Sequence, residues 1–391
     1  MKTHDDRGSM PFTGSAFVNR NARLRERYER AGVTRRHRLL IGVHGMLLFC
    51  DSFDHYHTST LGQKYLSVST GGDSVATIVS GGREGGNCLQ LPGGGYVSQA
   101  CQNPAQLIVG FALNPSAFGG SAIVSFYDMA TLQGQLRLTV AGGLEYYDGD
   151  NNLLASSANA IVDLNSFSYI EVNVLFSTTA TGTVSAQVNG ESAFSVTAKV
   201  TSLSGNNQAN IVQIVNGGTY NPNYLYDDLY ICDATGTINN NFLGDVAVMC
   251  LFPNGDGQYN EFSQVGGTSG DNWTSVDDNP ATLDPCPDGD TTYVYSSTTG
   301  NQDFYAIQPV GSPQAIVAVQ IVASARKDDS FSRVLALGFG NGTTSVFDAG
   351  FSLGSNYVMY TQPYDEDPIT SAAWDISHLD NGQIGIQILS S

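Results

Sequence analysis

Short apolar or alternating stretches punctuate the first half of the chain: LIVGFAL (107–113), AIVSFYD (122–128), LRLTV (136–140), GLEYYD (143–148), YIEVNVLF (169–176), VSAQVNG (184–190), AFSVTAKV (193–200) and IVQIV (211–215). A period of two sends successive side chains to opposite faces, which is the pattern of half-buried strands. Turn chemistry separates them, as in Asp148-Gly-Asp-Asn-Asn152 and Ser204-Gly-Asn-Asn207. Strands of this number and spacing predict two packed antiparallel sheets. The second half repeats the theme with a strand at 245–252, a turn at 253–257, and strands at 291–297, 315–327, 332–340, 347–354, 357–364 and 384–391. Alternation within 315–327 predicts a central strand buried mainly on one side. Between the halves lies the seam YLYDDLYICDATGTINNNFLGDVAVMCLFPNGDG (224–257). There Leu225, Leu229 and Ile231 share a strand face, and by the same period Asp227 shares it and needs a hydrogen-bonding or metal partner if buried. The fold class that follows is all-β: two tandem antiparallel β-sandwich domains at 46–236 and 237–391, behind a short basic N-terminal arm at 1–45.

Charge sharpens that division. The chain has 17 Lys plus Arg and 36 Asp plus Glu; residues 1–45 hold ten and four of these, leaving seven against thirty-two, a net of −25, on the other 346 residues. Such a body repels nucleic acid and anionic membrane, so proteins or sugars are the expected partners. No run of eighteen apolar residues is present, and no membrane-spanning helix is expected. Arg35-Arg36-His37-Arg38 before LLIGVHGMLLFC has the order of a signal peptide but no small-x-small cleavage site, so the apolar part reads as a first core strand. The arm includes good helix formers from Asn21 to Arg30. Two readings of it stay open: a cationic arm docking on an acidic surface, or sequence upstream of a working start at Met46.

The run from Tyr169 through Val184–Gly190 to Val196, whose middle strand ends in an Asn-Gly turn, resembles the hairpins of concanavalin A-like, laminin-G-like jelly rolls. Glucanases of that type resemble one another in a Glu-x-Asp-x-Glu strand supplying nucleophile and acid. Between Met46 and Cys232 the glutamates are Glu84, Glu145, Glu171 and Glu191, none in that spacing, and Glu145 and Glu171 read as solvent-facing strand positions. No Gly-x-Ser-x-Gly elbow accompanies His55, His57 or His378, and His55 with His57 reads as a surface or loop pair rather than a metal site with Asp51 or Asp54. Calcium is the one cofactor the loops could take, through Asp148, Asp150, Asn151 and Asn152 in one turn, Asp227 or Asp228 at the seam, or Asp365-Glu366-Asp367. For Asp227 the alternative is a carboxylate holding backbone amides. The six cysteines show no Cys-x-x-Cys, and buried free thiols are expected, with Cys88–Cys101 and Cys232–Cys250 as the pairs that could bridge. Trp273, in a Gly/Asp-rich loop, is expected to plug a core edge.

The order YDDLYICD, FLGDV, FPNGDG, Asn272-Trp273, DTTYVYSS, QIVASARKDD and YVMYTQPYDEDPITSAAWDISHLDNGQIGIQI resembles a group of tailed-bacteriophage virion proteins over roughly 46–391. The resemblance implies a non-enzymatic structural or accessory component, on capsid or tail, made in the host bacterial cytoplasm and located in the virion. It implies other virion proteins as partners and a homo-oligomer as the symmetric form of display. It carries over no catalytic residues. The alternative is a carbohydrate-binding module that recognises host surface glycan through first-domain loops.

Overall fold

The structure is a computed structural model that describes residues 9–10, 46–71, 73–218, 223–235, 237–281, 283 and 285–390. The helix expected within 21–30, and the arm at 1–45 apart from Ser9–Met10, lie outside the described residues. The molecule is all-β, with antiparallel sheets forming sandwich-like folds. It divides into two compact units: one built on Tyr65–Val246, the other on Ala247–Ser391 together with Phe49–Lys64. The second unit therefore reclaims a segment from before the first, and the division falls after Val246.

In the first unit the front sheet runs in the order Glu191–Lys199, Gly182–Val188, Ser168–Leu175, Gln106–Pro115, Tyr224–Asp233, Asn87–Leu91, Thr77–Ser80. The back sheet runs Leu153–Ser156, Leu144–Asp148, Thr131–Leu138, Ser121–Asp128, Ile211–Val215, Tyr96–Ala100, Ser67–Val68. Directly opposed residues of an antiparallel pair share a face. Val172 opposes Val109 and Ala186, and Ile170 opposes Phe111 and Val188, so these apolar positions form the inner face. The hairpin closes through Asn189 and Gly190 at φ of 51° and 80°, the left-handed pair that a two-residue turn matched to strand twist requires.

In the second unit the main sheet runs Pro253–Asn260, Gln302–Ile307, Gln383–Ser390, Val334–Gly340, Ser345–Phe347. Its core joins Tyr305, Leu337, Phe339 and Ile386 to Ile321 and Ala323, with Trp273 packed at the edge. Three expectations are corrected. The run 245–252 forms no strand, and the Pro253–Gly257 "turn" instead opens the strand Pro253–Asn260. Gly257 allows this, since a Cβ there would meet Phe304 at 2.7 Å, so this glycine, which reads as a turn former, serves close packing. Val319–Ala325 is buried at every position and, among the described residues, pairs only with Val358–Tyr364, so it is neither one-sided nor central in a sheet. Its odd residues enter the core, while Gln320 donates to the Cys50 carbonyl at 3.2 Å and accepts from the Cys50 amide at 3.3 Å. Phe49–Lys64 thus covers the face that period-two reading left unfilled.

Candidate functional site

The front sheet of the first unit places Glu171, Gly110 and Tyr230 in one cross-strand row on its outer face. Glu171 is fully buried, contrary to its expected solvent-facing position. Its carboxylate accepts from the Tyr230 hydroxyl, from the Gln187 amide, and from the Gly244 amide at 2.9 Å, and the Leu243 amide donates to Tyr230 Oη at 3.2 Å. Burial raises the Glu171 pKa, and these donors offset part of the rise. The Tyr230 ring crosses directly over Gly110, where a Cβ would lie 2.1 Å from Cε1. Gly110→Ala is expected to lower stability by roughly 1–3 kcal/mol through this overpacking. A urea midpoint equal to wild type would show that the ring has room to move.

Tyr230 reaches that face because the strand bulges. Asp227 opposes Ala112 and Tyr230 opposes Gly110, so three residue steps match two, with Asp228 at a φ of 49°. The expected common face of Asp227 with Leu229 and Ile231 is broken by this bulge. Asp227 is nearly buried and accepts from the Arg83 amide at 2.6 Å and the Asp228 amide at 2.9 Å. Arg83 itself pairs with Asp228 at 2.7 Å and with Asp245, and donates to the Val246 carbonyl at 2.6 Å. The segment Leu243–Val246 is thereby fastened across the front sheet by both Glu171 and Arg83. Asp227→Ala should loosen this fastening and destabilise the unit by about 1–3 kcal/mol, the desolvation penalty of amides left without an acceptor. Thermal unfolding indistinguishable from wild type would show the carboxylate to be dispensable.

The other expected site residues are scattered. Asp148 accepts from the Asn152 amide at 2.8 Å and its side-chain nitrogen at 2.9 Å, while Asn151 accepts from Arg137 and Asp150 is exposed. Asp148 belongs to the back sheet and Asp227 to the front. Asp367 accepts from the Ile369 amide and the Thr370 hydroxyl and pairs with His378 Nδ1 at 3.0 Å. No group of three or more His, Cys, Asp or Glu placed to hold a metal occurs among the described residues. His55 is fully buried, not a surface residue, whereas His57 Nε2 lies 3.2 Å from the Pro280 carbonyl oxygen. All six cysteines are free thiols.

The back sheet has an outer face of another kind. Registers align Tyr147, Gln135, Ser125, Gln213, Ser98 and Ser67 as one row across six strands. Arg137 lies 3.9 Å over the Tyr147 ring, the Tyr147 hydroxyl donates to Glu145 at 2.9 Å, and Gln213 donates to Ser98 at 3.1 Å. Aromatic, amide and hydroxyl groups thus line up across this sheet, Ser125 and Ser98 being buried within the row, and its Tyr147 end reaches the Asp148–Asn152 turn through the Arg137–Asn151 bond.

Fold and sites together define an all-β protein of two sandwich-like units. No family model and no curated protein matches the chain. Among solved structures it is similar to an endo-β-1,4-glucuronan lyase from the fungus Trichoderma reesei, at a TM-score of 0.37 and 11% identity over 46% of this chain and 94% of that one. Domain 4 of the arabinanase AbnA from Geobacillus stearothermophilus, in complex with arabinotriose, gives 0.35 and 15% over 50% and 95%. The botulinum neurotoxin type G receptor binding domain gives 0.31 and 11% over 77% and 75%.

Proposed function

We propose that the protein is a non-enzymatic structural or accessory component of a tailed-phage virion that works by adhesion and display. The observation that carries the non-enzymatic part is Glu171. It is the only buried glutamate among the described residues, and it is fully engaged by Tyr230, Gln187 and the Gly244 amide beneath the unit's own Leu243–Val246 segment. A retaining glycosidase needs two carboxyls about 5 Å apart facing a substrate cleft, and this face supports a fastening instead. The virion assignment rests on the ordered sequence resemblance and on the acidic body. Mass spectrometry of purified particles carrying the encoding genome should detect the chain, and its absence from them would overturn the assignment. Particles lacking it should package DNA and lose stability or adsorption.

The Tyr147 row favours a second reading, recognition of host surface glycan. Aromatic rings stack on sugar faces while amides and hydroxyls bond to sugar hydroxyls. A glycan array read with and without calcium should show binding that Tyr147→Ala reduces about tenfold, the loss of roughly 1.4 kcal/mol. Binding to no sugar in either condition would eliminate this reading.

A further inference from the structure

The second unit contains a chemical arrangement that neither reading uses. Lys64 Nζ lies 2.8 Å from Asp51 Oδ1, and both side chains are 0% exposed. The rings of Phe49 and Tyr56 close over the ammonium, at 5.2 and 5.3 Å from Nζ to their centroids. Asp51 Oδ2 accepts from the Tyr56 hydroxyl at 2.6 Å and Oδ1 from the Phe53 amide at 2.9 Å. On its other side Nζ lies 2.9 Å from His55 Nε2. We propose that Lys64 and Asp51 condense to a side-chain isopeptide bond, a covalent staple across the 51–64 segment.

Each neighbour has a part in that step. Nζ passes one proton along the existing hydrogen bond to Oδ1, and the freed amine attacks Cγ to form the C–N bond. Negative charge develops on Oδ2, where the Tyr56 hydroxyl already donates, as an oxyanion donor must. Nζ then passes a second proton to Oδ1, the Cγ–Oδ1 bond breaks, and Oδ1 leaves as water. Ammonium plus carboxylate has become amide plus water, with no oxidant or co-reactant. His55 orients the nitrogen: burial, with the Lys64 charge second, pushes its pKa down to about 3, so the ring is neutral at working pH and accepts from Nζ. Fixing amine and carboxyl in contact removes the translational barrier that makes the same condensation unfavourable in water; effective molarities of such pairs reach about 10⁵–10⁸ M. The product is also preferred where the reactants lie, because a desolvated ion pair carries a penalty of several kcal/mol per ion that a neutral amide does not.

The test is the intact mass of the full-length purified protein, unfolded before measurement, followed by peptide mapping. The expected mass is one water below the sequence mass; because no Lys or Arg lies between Asp51 and Lys64, the two share a tryptic peptide, and mapping should find residues 39–83 as a single peptide short of one water, uncut after Lys64. Lys64→Arg, which keeps the charge but not the nucleophile, should sit at its own sequence mass. Wild-type protein at the full sequence mass would overturn the proposal. So would a loss of water traced to a succinimide at Asp51 with Lys64 still cleaved.

Discussion

Asp51→Ala is expected to destabilise the second unit by at least about 3–5 kcal/mol, because it leaves the buried Lys64 without a counter-charge whether the parent pair is ionic or condensed to the amide. Lys64 then retains a neutral imidazole and two aromatic rings but no anion in its described contacts, so the simplest relief is loss of its own proton, which high pH favours. Lys64→Met is expected to be milder. It leaves a carboxyl that keeps the Tyr56 hydroxyl and Phe53 amide and can be neutralised by taking up a proton. The two variants should therefore differ in the sign of their pH dependence: Asp51→Ala gains stability as pH rises, Lys64→Met as pH falls. Urea unfolding of both at pH 5 and pH 9 checks this. Equal losses with parallel pH profiles would mean that packing around Phe49 and Tyr56, not charge, sets the stability of this segment.

The sequence makes this cluster hard to see, for a physical reason. Period-two alternation locates strands because burial alternates with it, and the inner faces around Val109, Ile170 and Val172 follow that rule. Lys64 sits at the end of a short 3-10 helix, where no alternation operates, and its partner thirteen residues back is set by the path of the loop. The bulge at Asp228 is equally silent, since one inserted residue leaves composition unchanged while sending Tyr230 to the outer face over Glu171. One signal was available. In a body with seven cationic side chains among thirty-two acids, each cation has a choice of partners, and Lys64, Arg83, Arg326 and Arg333 all pair with aspartates. Asp227 and Glu171 are both held by neutral donors; Asp227 is legible because it interrupts an apolar strand face, whereas Glu171 alternates with Ile170 and Val172 as an ordinary polar position would.

Where acids outnumber cations this heavily, some must be buried without one, and these should make the second unit more stable in mild acid. Asp278 is fully buried; burial, reinforced by the Asp288 charge, pushes its pKa from 3.8 up to about 7. Asp303 is pushed up to about 6, again chiefly by burial. For a carboxyl whose folded pKa is raised, the folded state holds more protons than the unfolded chain between the two values, so stability is present below pH 3.8 and falls as pH rises toward 7. At about 1.4 kcal/mol per pH unit, the window for Asp278 corresponds to an upper limit of roughly 4 kcal/mol by pH 8. Asp278→Asn removes the charge while its side-chain oxygen can still accept from the Asp288 amide, a 3.1 Å bond in the parent. It should match wild type at pH 4 and exceed it by roughly 2 kcal/mol at pH 8, half the upper limit because local relaxation recovers part of the penalty. Asp303→Asn provides the contrast. Its carboxylate accepts from the Glu261 and Phe262 amides, the Asn272 side chain and the Tyr305 hydroxyl, so an amide nitrogen would face donors, and stability should fall at both pH values. Urea midpoints at pH 4 and pH 8 for the two variants distinguish burial of charge from loss of acceptors. A pH-independent gain in Asp278→Asn would assign its effect to packing.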